Sequence, residues 1–445
     1  MSRLWGLTML RRCSVMLLLV LPISLVVIAL RSEIAPVQAD TLAATDQLQW
    51  YRGNMHTHSH WSDGDDYLES IAAWYQQAGY QFLVFTDHNV LADKERWVEI
   101  KKTKGKQAAF DKLKEQFPEW VEERTVAEKH EVRLRRFDEV AERFNKPSEY
   151  LLIQGEEVSD RLTLKIPLHF NVSNVKELLT PRGGDSVAEV IQNNVDAAIA
   201  QRERTGQPMI IHLNHPNFGY AVTAEDLMRI IGERFFEIYN GHPGVHNGGD
   251  EQHAGCEPIW DIVLTKRLAE LKLPVMYGLA VDDGHEYHHI PSRASEPGRG
   301  WVMVLAKELT AGSLIEALEA GQFYASSGVR LSSVESSEKG LAIEVDAVPG
   351  ETYTIEFIGT RKGYDPEGKP VVDEAGAEIR TTRRYSPEIG AVLATVQGTQ
   401  ARYEITGDEV YVRARVTSSA PHPNPSEIGE FQRAWCQPVV GAAAK

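Results

Sequence analysis

Cysteine is nearly missing from this sequence of 445 residues, which has three, and Cys13 falls in a leading segment that is set aside below. That leaves Cys256 and Cys436, two thiols far apart in the chain that an oxidising compartment could join in one bridge at most. Positive charge is also in short supply: 47 Lys and Arg face 63 Asp and Glu, for a formal charge of −16. A surface this acidic argues against nonspecific binding to nucleic acid or to an anionic membrane. It still admits an anionic substrate, because bound divalent cations can reverse the field inside one pocket. There is no internal repeat and no long low-complexity segment. The one long apolar run, uncharged from Cys13 to Leu30, follows Arg3, Arg11 and Arg12 and leads to Val37-Gln38-Ala39. This pattern predicts an export signal, residues 1–39, cut after Ala39, which places the mature chain in the periplasm or outside the cell. The run is near the lower limit for a bilayer span, so an uncleaved anchor is the alternative. Once the signal is cut, no stable membrane contact is expected.

What is present is ordinary for a globular protein, 42% hydrophobic and 25% charged, and long enough for two or three domains. Short apolar runs recur at Tyr80–Phe85, Tyr150–Ile153, Ile166–Val172, Met209–Leu213, Phe235–Tyr239, Pro274–Ala280 and Trp301–Leu305, with helical stretches between them. Together with a strand over 51–56 this alternation is a β/α pattern, for which a barrel is the natural closure. Between Asp65 and Ala78, Leu68, Ile71, Ala72 and Tyr75 share one helical face. Residues 91–147, rich in Lys, Glu and Arg, read as a charged insertion of one or two solvated helices. Beyond residue 328 the period changes to two, as in Leu341–Val345, Tyr353–Phe357 and Val410–Val416. That period predicts a small β-sandwich over 329–445, after an α/β barrel over 48–328.

Chemistry concentrates at the ends of those apolar runs. The stretch Asn54-Met-His-Thr-His-Ser-His-Trp-Ser-Asp-Gly64 holds His56, His58, His60 and Asp63. On an extended chain His56 and His58 face the same side and can reach one metal ion. Other runs stop at Thr86-Asp87-His88, Gly155-Glu156-Glu157, His212-Leu-Asn-His215 and Asp282-Asp283-Gly-His285, and one carries His169. Strand ends converge on one face of a parallel barrel, so these residues can meet in one pocket. Ligands arriving from six places suit a cluster of ions better than a single ion. So many buried His, Asp and Glu side chains would be costly without a cation to hold them.

In these motifs and their order the chain resembles the PHP family, named for polymerase and histidinol phosphatase. The residues that carry the likeness are His56-Thr-His58 with Ser62-Asp63-Gly64, Phe85-Thr86-Asp87-His88-Asn89, Gly155-Glu-Glu157-Val158, His169-Phe-Asn171, His215-Pro216 and Asp283-Gly-His285. The resemblance covers residues 50–328 and implies a distorted (β/α)7 barrel, similar to the TIM barrel, that holds up to three divalent metal ions. The implied metal ligands are His56, His58, Asp63, His88, Glu157, His169, His215, Asp283 and His285. Glu157 is preferred over Glu156 because the family pattern is Gly-x-Glu, and Asp283 over Asp282 because it is Asp-x-His. His60 then falls at the pocket rim. The export signal, the closure over Thr310–Gly328 and the β-rich tail ending in Ala434-Trp435-Cys436-Gln437-Pro438 look like the exported branch that contains the carbamate hydrolases CehA and McbA.

Such ions acidify a bridging water into a hydroxide nucleophile and polarise the bond under attack, so hydrolysis is the expected reaction. Nitrogen and oxygen ligands without cysteine fit zinc, manganese or iron. Asp87 is expected to orient a metal ligand, with His212, Asn214 and Asn171 in similar supporting places. A leaving group needs a proton, and His242 or His253, in a glycine-rich stretch after a strand, could stand over the pocket. Arg299 could bind an anion but fits better as support for its own loop, and Glu237 and Asp261 have supporting places only. The expected substrate is a small-molecule ester, first a phosphoester and second a carboxylester or carbamate. From another class, the chain could be an exported binding module whose metals hold a sugar or a surface partner without turnover.

Overall fold

A computed structural model of the chain describes residues 48–232 and 234–444. The expected export signal lies outside the described residues. Among the described residues no helix is long and apolar enough to cross a membrane.

The fold is mixed α/β. One large sheet runs in the order Tyr277–Val281, Phe235–Asn240, Ile210–Leu213, Ile166–Ser173, Leu151–Thr163, Phe82–Phe85, Gln49–Asn54, Trp301–Ala306, Phe323–Ser326, Phe431–Val440, Glu409–Pro421, Tyr353–Arg361, Ala391–Gln397. The expected closed barrel of parallel strands is not what forms, because the ladder stays open. Among the described residues four strand pairs in its first half are parallel. Leu151–Thr163 instead turns back through Leu164-Lys165 into Ile166–Ser173, pairing antiparallel with it from Thr163↔Ile166 to Gly155↔Ser173. A parallel crossover needs a dozen or more residues, and a two-residue turn permits only a hairpin. The sheet nevertheless curls until its distant strands meet. Thr57 bridges to Gly284, His58 N–H donates to Gly284 O at 3.0 Å, and Asp282 N–H donates to Asn54 Oδ1 at 3.0 Å. Gly300 allows this closeness, since a Cβ there would lie 2.6 Å from Val281 O.

Helix Leu68–Gln77 buries Leu68, Ile71, Ala72 and Tyr75, the face its spacing predicts. The charged segment 91–147 differs from a purely helical insertion. It has two α-helices, Lys106–Gln116 and Phe137–Phe144, and also a three-stranded antiparallel sheet of Arg96–Glu99, Lys129–Leu134 and Glu123–Val126. Its hairpin turns at Ala127 and Glu128, both at positive φ, without the Asn or Gly that normally marks such a turn. Ile100, Phe110, Leu113, Val132 and Val140 bury it against Ile71, Tyr80 and Leu152.

After residue 328 the sheet Leu331–Ser337, Gly340–Val345, Gln400–Glu404 packs face to face on the end of the large sheet. Leu341, Ile343 and Val345 meet Ile355, Phe357, Val412, Ala414 and Val416 in a shared core, as period-two patterning requires. Cys256 and Cys436 are both free and buried. They form no bridge, and burial pushes the Cys436 thiol up to about 12.

Candidate metal centre

His56 and His58 leave strand Gln49–Asn54 on an extended segment whose intervening Thr57 is bonded the other way, its N–H to Thr86 Oγ1 at 2.9 Å. Alternation therefore puts both imidazoles on one side, with their Nε2 atoms 3.1 Å apart. The loop that follows is folded around Asp87, which accepts from Ser59 N–H and O–H at 2.8 and 2.7 Å and from Ser62 N–H and O–H at 3.0 and 2.6 Å. Gly64 completes the fold where a Cβ would come within 2.4 Å of His58 O. Asp63 is thereby placed with Oδ1 3.7 Å from His58 Nδ1, 3.6 Å from His88 Nε2 and 3.4 Å from His285 Nε2. Asp87 thus acts through the loop and touches no metal-ligand imidazole. Asp87→Ala is expected to weaken metal affinity by roughly 10- to 100-fold, the usual cost of losing an outer partner, with the fold retained; a competitive chelator titration reads it.

Glu157 stands at the centre. Alternation along Leu151–Thr163 turns it inward and Glu156 outward, where Glu156 Oε2 accepts Leu179 N–H at 2.8 Å and burial pushes its carboxyl up to about 8. Glu157 Oε2 lies 3.4 Å from His56 Nε2, 3.1 Å from His58 Nε2 and 2.9 Å from His88 Nδ1, while Oε1 lies 2.9 Å from His169 Nδ1 and 3.7 Å from His215 Nε2. Asp283, held at φ 52°, brings Oδ1 to 3.2 Å from His56 Nε2 and 3.3 Å from His58 Nε2. A non-glycine residue in that left-handed region stores strain of the kind found at functional sites. Asp282 faces the other way, and its carboxylate accepts from Tyr75 O–H, Arg299 N–H and Gly300 N–H at 2.7–2.8 Å. All nine ligand residues implied by the resemblance are therefore brought together.

These residues fit a cation. Glu157 Oε2 and His169 Nδ1 are buried with no partner in hydrogen-bonding geometry, although charged or polar nitrogens and oxygens crowd them. Lone pairs converging without bonds suit a metal ion. Tetrahedral zinc at roughly 2.0–2.1 Å from each nitrogen sets its ligand nitrogens about 3.3 Å apart, close to the His56–His58 spacing. Among the described residues three overlapping groups have ligand atoms within 4.8 Å of one another: His58, Asp63, His88, His285; His56, His58, Glu157; and His88, Glu157, His169. The overlap provides for more than one ion. The donors, all imidazole and carboxylate, suit zinc, manganese or iron.

Charge in the cluster is mutually supported. Burial would push the Glu157 and Asp283 carboxyls up, but the imidazoles around them hold both well below the usual carboxylate range. Burial opposes a proton on His56, His58, His88 and His215, yet Asp283, Glu157 and their neighbouring carboxylates raise all four. For His169 and His212 burial wins and the imidazole is lowered. Metal must displace the extra protons. Raised imidazoles stay protonated at higher pH, so metal affinity is expected to fall as pH falls. The fall should begin above the ordinary imidazole value of about 6.5 and exceed about one decade per pH unit. Zinc titrations between pH 5.5 and 8.5 check both sign and slope.

A supporting layer lies outside the ligands. Glu237 is fully buried; its Oε1 is 2.7 Å from His56 Nδ1 and 3.3 Å from His212 Nε2, and its Oε2 accepts His215 N–H at 2.7 Å. Those imidazoles, His56 first, hold it at about 2 against burial. Asn240 donates to Glu237 Oε2 at 2.8 Å and to Asp283 Oδ2 at 3.1 Å, and Asn214 donates to Glu157 Oε1 at 2.9 Å and Asn171 Oδ1 at 3.0 Å. Ser159 Oγ lies 2.6 Å from His88 Nδ1. An acid inside the apolar run Phe235–Tyr239 is the signal for Glu237, while Asn240 and Ser159 have none. His60 is buried edge-on against Tyr67, its Nδ1 3.0 Å from Gly64 O. Arg299 is fully buried and donates to Gly241 O and Asn424 O, so it serves loop structure and not an anion.

The two proton-donor candidates separate. The His242 ring lies 5.7 Å from that of His285. His253 is not brought to the ligands: its Nδ1 is 2.8 Å from Asp250 Oδ1 and its ring stacks flat on Tyr220 at 3.7 Å. Its acid partner three residues back holds it on its own loop.

No family model and no curated protein matches the chain. Among solved structures it is similar to a two-domain protein from Bacteroides vulgatus that contains a predicted PHP-like metal-dependent phosphoesterase, with 13% identity and a TM-score of 0.36 over 88% of this chain and 95% of that one. It is also similar to a candidate metal-dependent phosphoesterase from Bifidobacterium adolescentis, with 12% identity and a TM-score of 0.26 over 52% of this chain and 87% of that one.

Proposed function

We propose that the chain is an exported, PHP-type metal-dependent hydrolase acting on phosphoesters. The observation that carries this reading is the convergence of His56, His58 and His88 nitrogens on the buried Oε2 of Glu157, which accepts no hydrogen bond in good geometry. His56, His58, Glu157 and Asp283 would hold one cation, Asp63, His88 and His285 a second, and Glu157, His169 and His215 a third. Cations held by these residues would supply an acidified water as nucleophile and would polarise the ester bond. Glu237 keeps His56 oriented through Nδ1, so that Nε2 faces inward, and Asn214 does the same for Glu157. Several adjacent cation sites suit a phosphoryl group, whose oxygens can span them, and give an otherwise acidic chain a local positive field.

Metal-replete protein assayed on bis-p-nitrophenyl phosphate, p-nitrophenyl phosphate and p-nitrophenyl acetate tests this reading. Phosphoester turnover, lost with chelator and restored by metal, is expected. Turnover of the acetate alone would move the substrate to carboxylesters or carbamates. Bound metal without turnover of any of them would replace the hydrolase by a binding module.

A further inference from the structure

His242 sits on a turn that is tied to the ligand framework through Asn240. Its N–H donates to Asn240 Oδ1 at 2.8 Å, and Asn240 is the side chain that holds Glu237 and Asp283. Asn247 pins the Asn240 backbone from both sides, accepting its N–H at 3.0 Å and donating to its carbonyl at 2.8 Å. Arg299 fixes Gly241 O at 2.7 Å, and Val245 N–H closes the turn on His242 O at 3.0 Å. The imidazole is half-buried, 5.7 Å from the His285 ring and edge-on to Phe218, which itself packs on His215.

One bond sets the tautomer. Gly244 N–H donates to His242 Nδ1 at 2.9 Å, so Nδ1 carries a lone pair and the proton of the neutral ring is on Nε2. Nε2 has no partner among the described residues and is the ring's free polar atom. A general acid that released its proton from Nε2 would end with the proton on Nδ1, facing the Gly244 N–H. The turn does not allow that product.

Resting on the hydrolase reading, we propose that His242 is a fixed Nε2–H hydrogen-bond donor to an oxygen of the phosphoryl group at the metal centre, and that it transfers no proton. A rigid donor aimed where charge develops, with no rearrangement during the reaction, is an effective form of transition-state stabilisation.

The test compares His242→Gln, whose amide can replace an Nε2–H donor but cannot titrate, with His242→Ala. Metal content and thermal midpoint are measured for both. For kcat on bis-p-nitrophenyl phosphate, the alanine variant is expected to lose about 100-fold and the glutamine variant to stay within about fivefold of wild type, with the alkaline limb of the pH profile unchanged. In calorimetry on metal-loaded protein, His242→Ala is expected to weaken inorganic phosphate binding about tenfold, one hydrogen bond's share, and His242→Gln much less. Histidine ¹⁵N spectra of wild type should show the Nε2–H tautomer in the signal that His242→Gln removes. A glutamine variant as damaged as the alanine one, with the alkaline limb lost, would mean that His242 is an acid. Unchanged phosphate affinity in His242→Ala, or no phosphate binding by the wild type, would overturn the contact. If wild type turns over no ester but binds phosphate through His242, the hydrolase reading fails and the donor assignment stands.

Discussion

Glu157→Gln is expected to cut hydrolysis by more than about 1,000-fold and to remove at least one metal equivalent per chain, the scale expected when a charged ligand of a catalytic cation is lost. Both carboxylate oxygens are committed: Oε2 to His56, His58 and His88, and Oε1 to His169, with Asn214 N–H donating to it. Glutamine keeps the shape but brings a neutral amide whose N–H₂ would point at lone pairs or displace a cation from them. Neighbouring Glu156→Gln is the matched control. Its carboxyl faces Leu179 and burial already favours its neutral form, so metal content and rate should remain near wild type. Elemental analysis and initial rates on the two variants separate a ligand from an adjacent buried acid. Equal losses in both would point to general damage to the strand.

Asp261→Ala is expected to destabilise the fold by about 3–5 kcal/mol, the usual cost of stranding a buried charge. Arg413 is 1% exposed and reaches Asp261 with a two-pronged contact, Nε to Oδ1 and Nη2 to Oδ2, both at 2.7 Å, and Tyr411 O–H donates to the same Oδ1 at 2.7 Å. The pair ties helix Cys256–Thr265, which packs beside strand Phe235–Asn240, to strand Glu409–Pro421 in the C-terminal part of the large sheet. Urea unfolding should shift in one transition, since the large sheet is continuous across that boundary. Arg413→Met alone should also destabilise. The double variant should recover part of the loss, because replacing a whole buried pair with apolar side chains often costs little.

The metal ligands are legible because strand ends and alternation gather the candidates and the resemblance selects among them. His56 and His58 follow from alternation, and His88, His215 and His285 from their places just past an apolar run, whereas the choice of Glu157 over Glu156 and of Asp283 over Asp282 comes from the resemblance, through its Gly-x-Glu and Asp-x-His patterns. The open sheet is not legible in the same way. Leu164-Lys165 and Ala127-Glu128 make tight turns without Gly, Asn or Pro, so neither hairpin announces itself, and a parallel pattern is the reading the apolar runs favour. His253 shows the limit for single residues. Histidines in glycine-rich loops look alike in sequence, and what separates His242 from His253 is that Asn240 binds one turn to the ligands while Asp250 and Tyr220 hold the other away. The burial of Arg299 depends on Asn424, 125 positions away, a partner that no local pattern can reveal.

The most direct measurement of the central claim is anomalous diffraction from crystals grown with zinc or manganese. Density is predicted within bonding distance, about 2.0–2.3 Å, of His56 Nε2, His58 Nε2 and Glu157 Oε2, with further peaks beside Asp63 and His169. Crystals that bind metal elsewhere, while the space among His56, His58 and Glu157 stays empty at saturating metal, would contradict it.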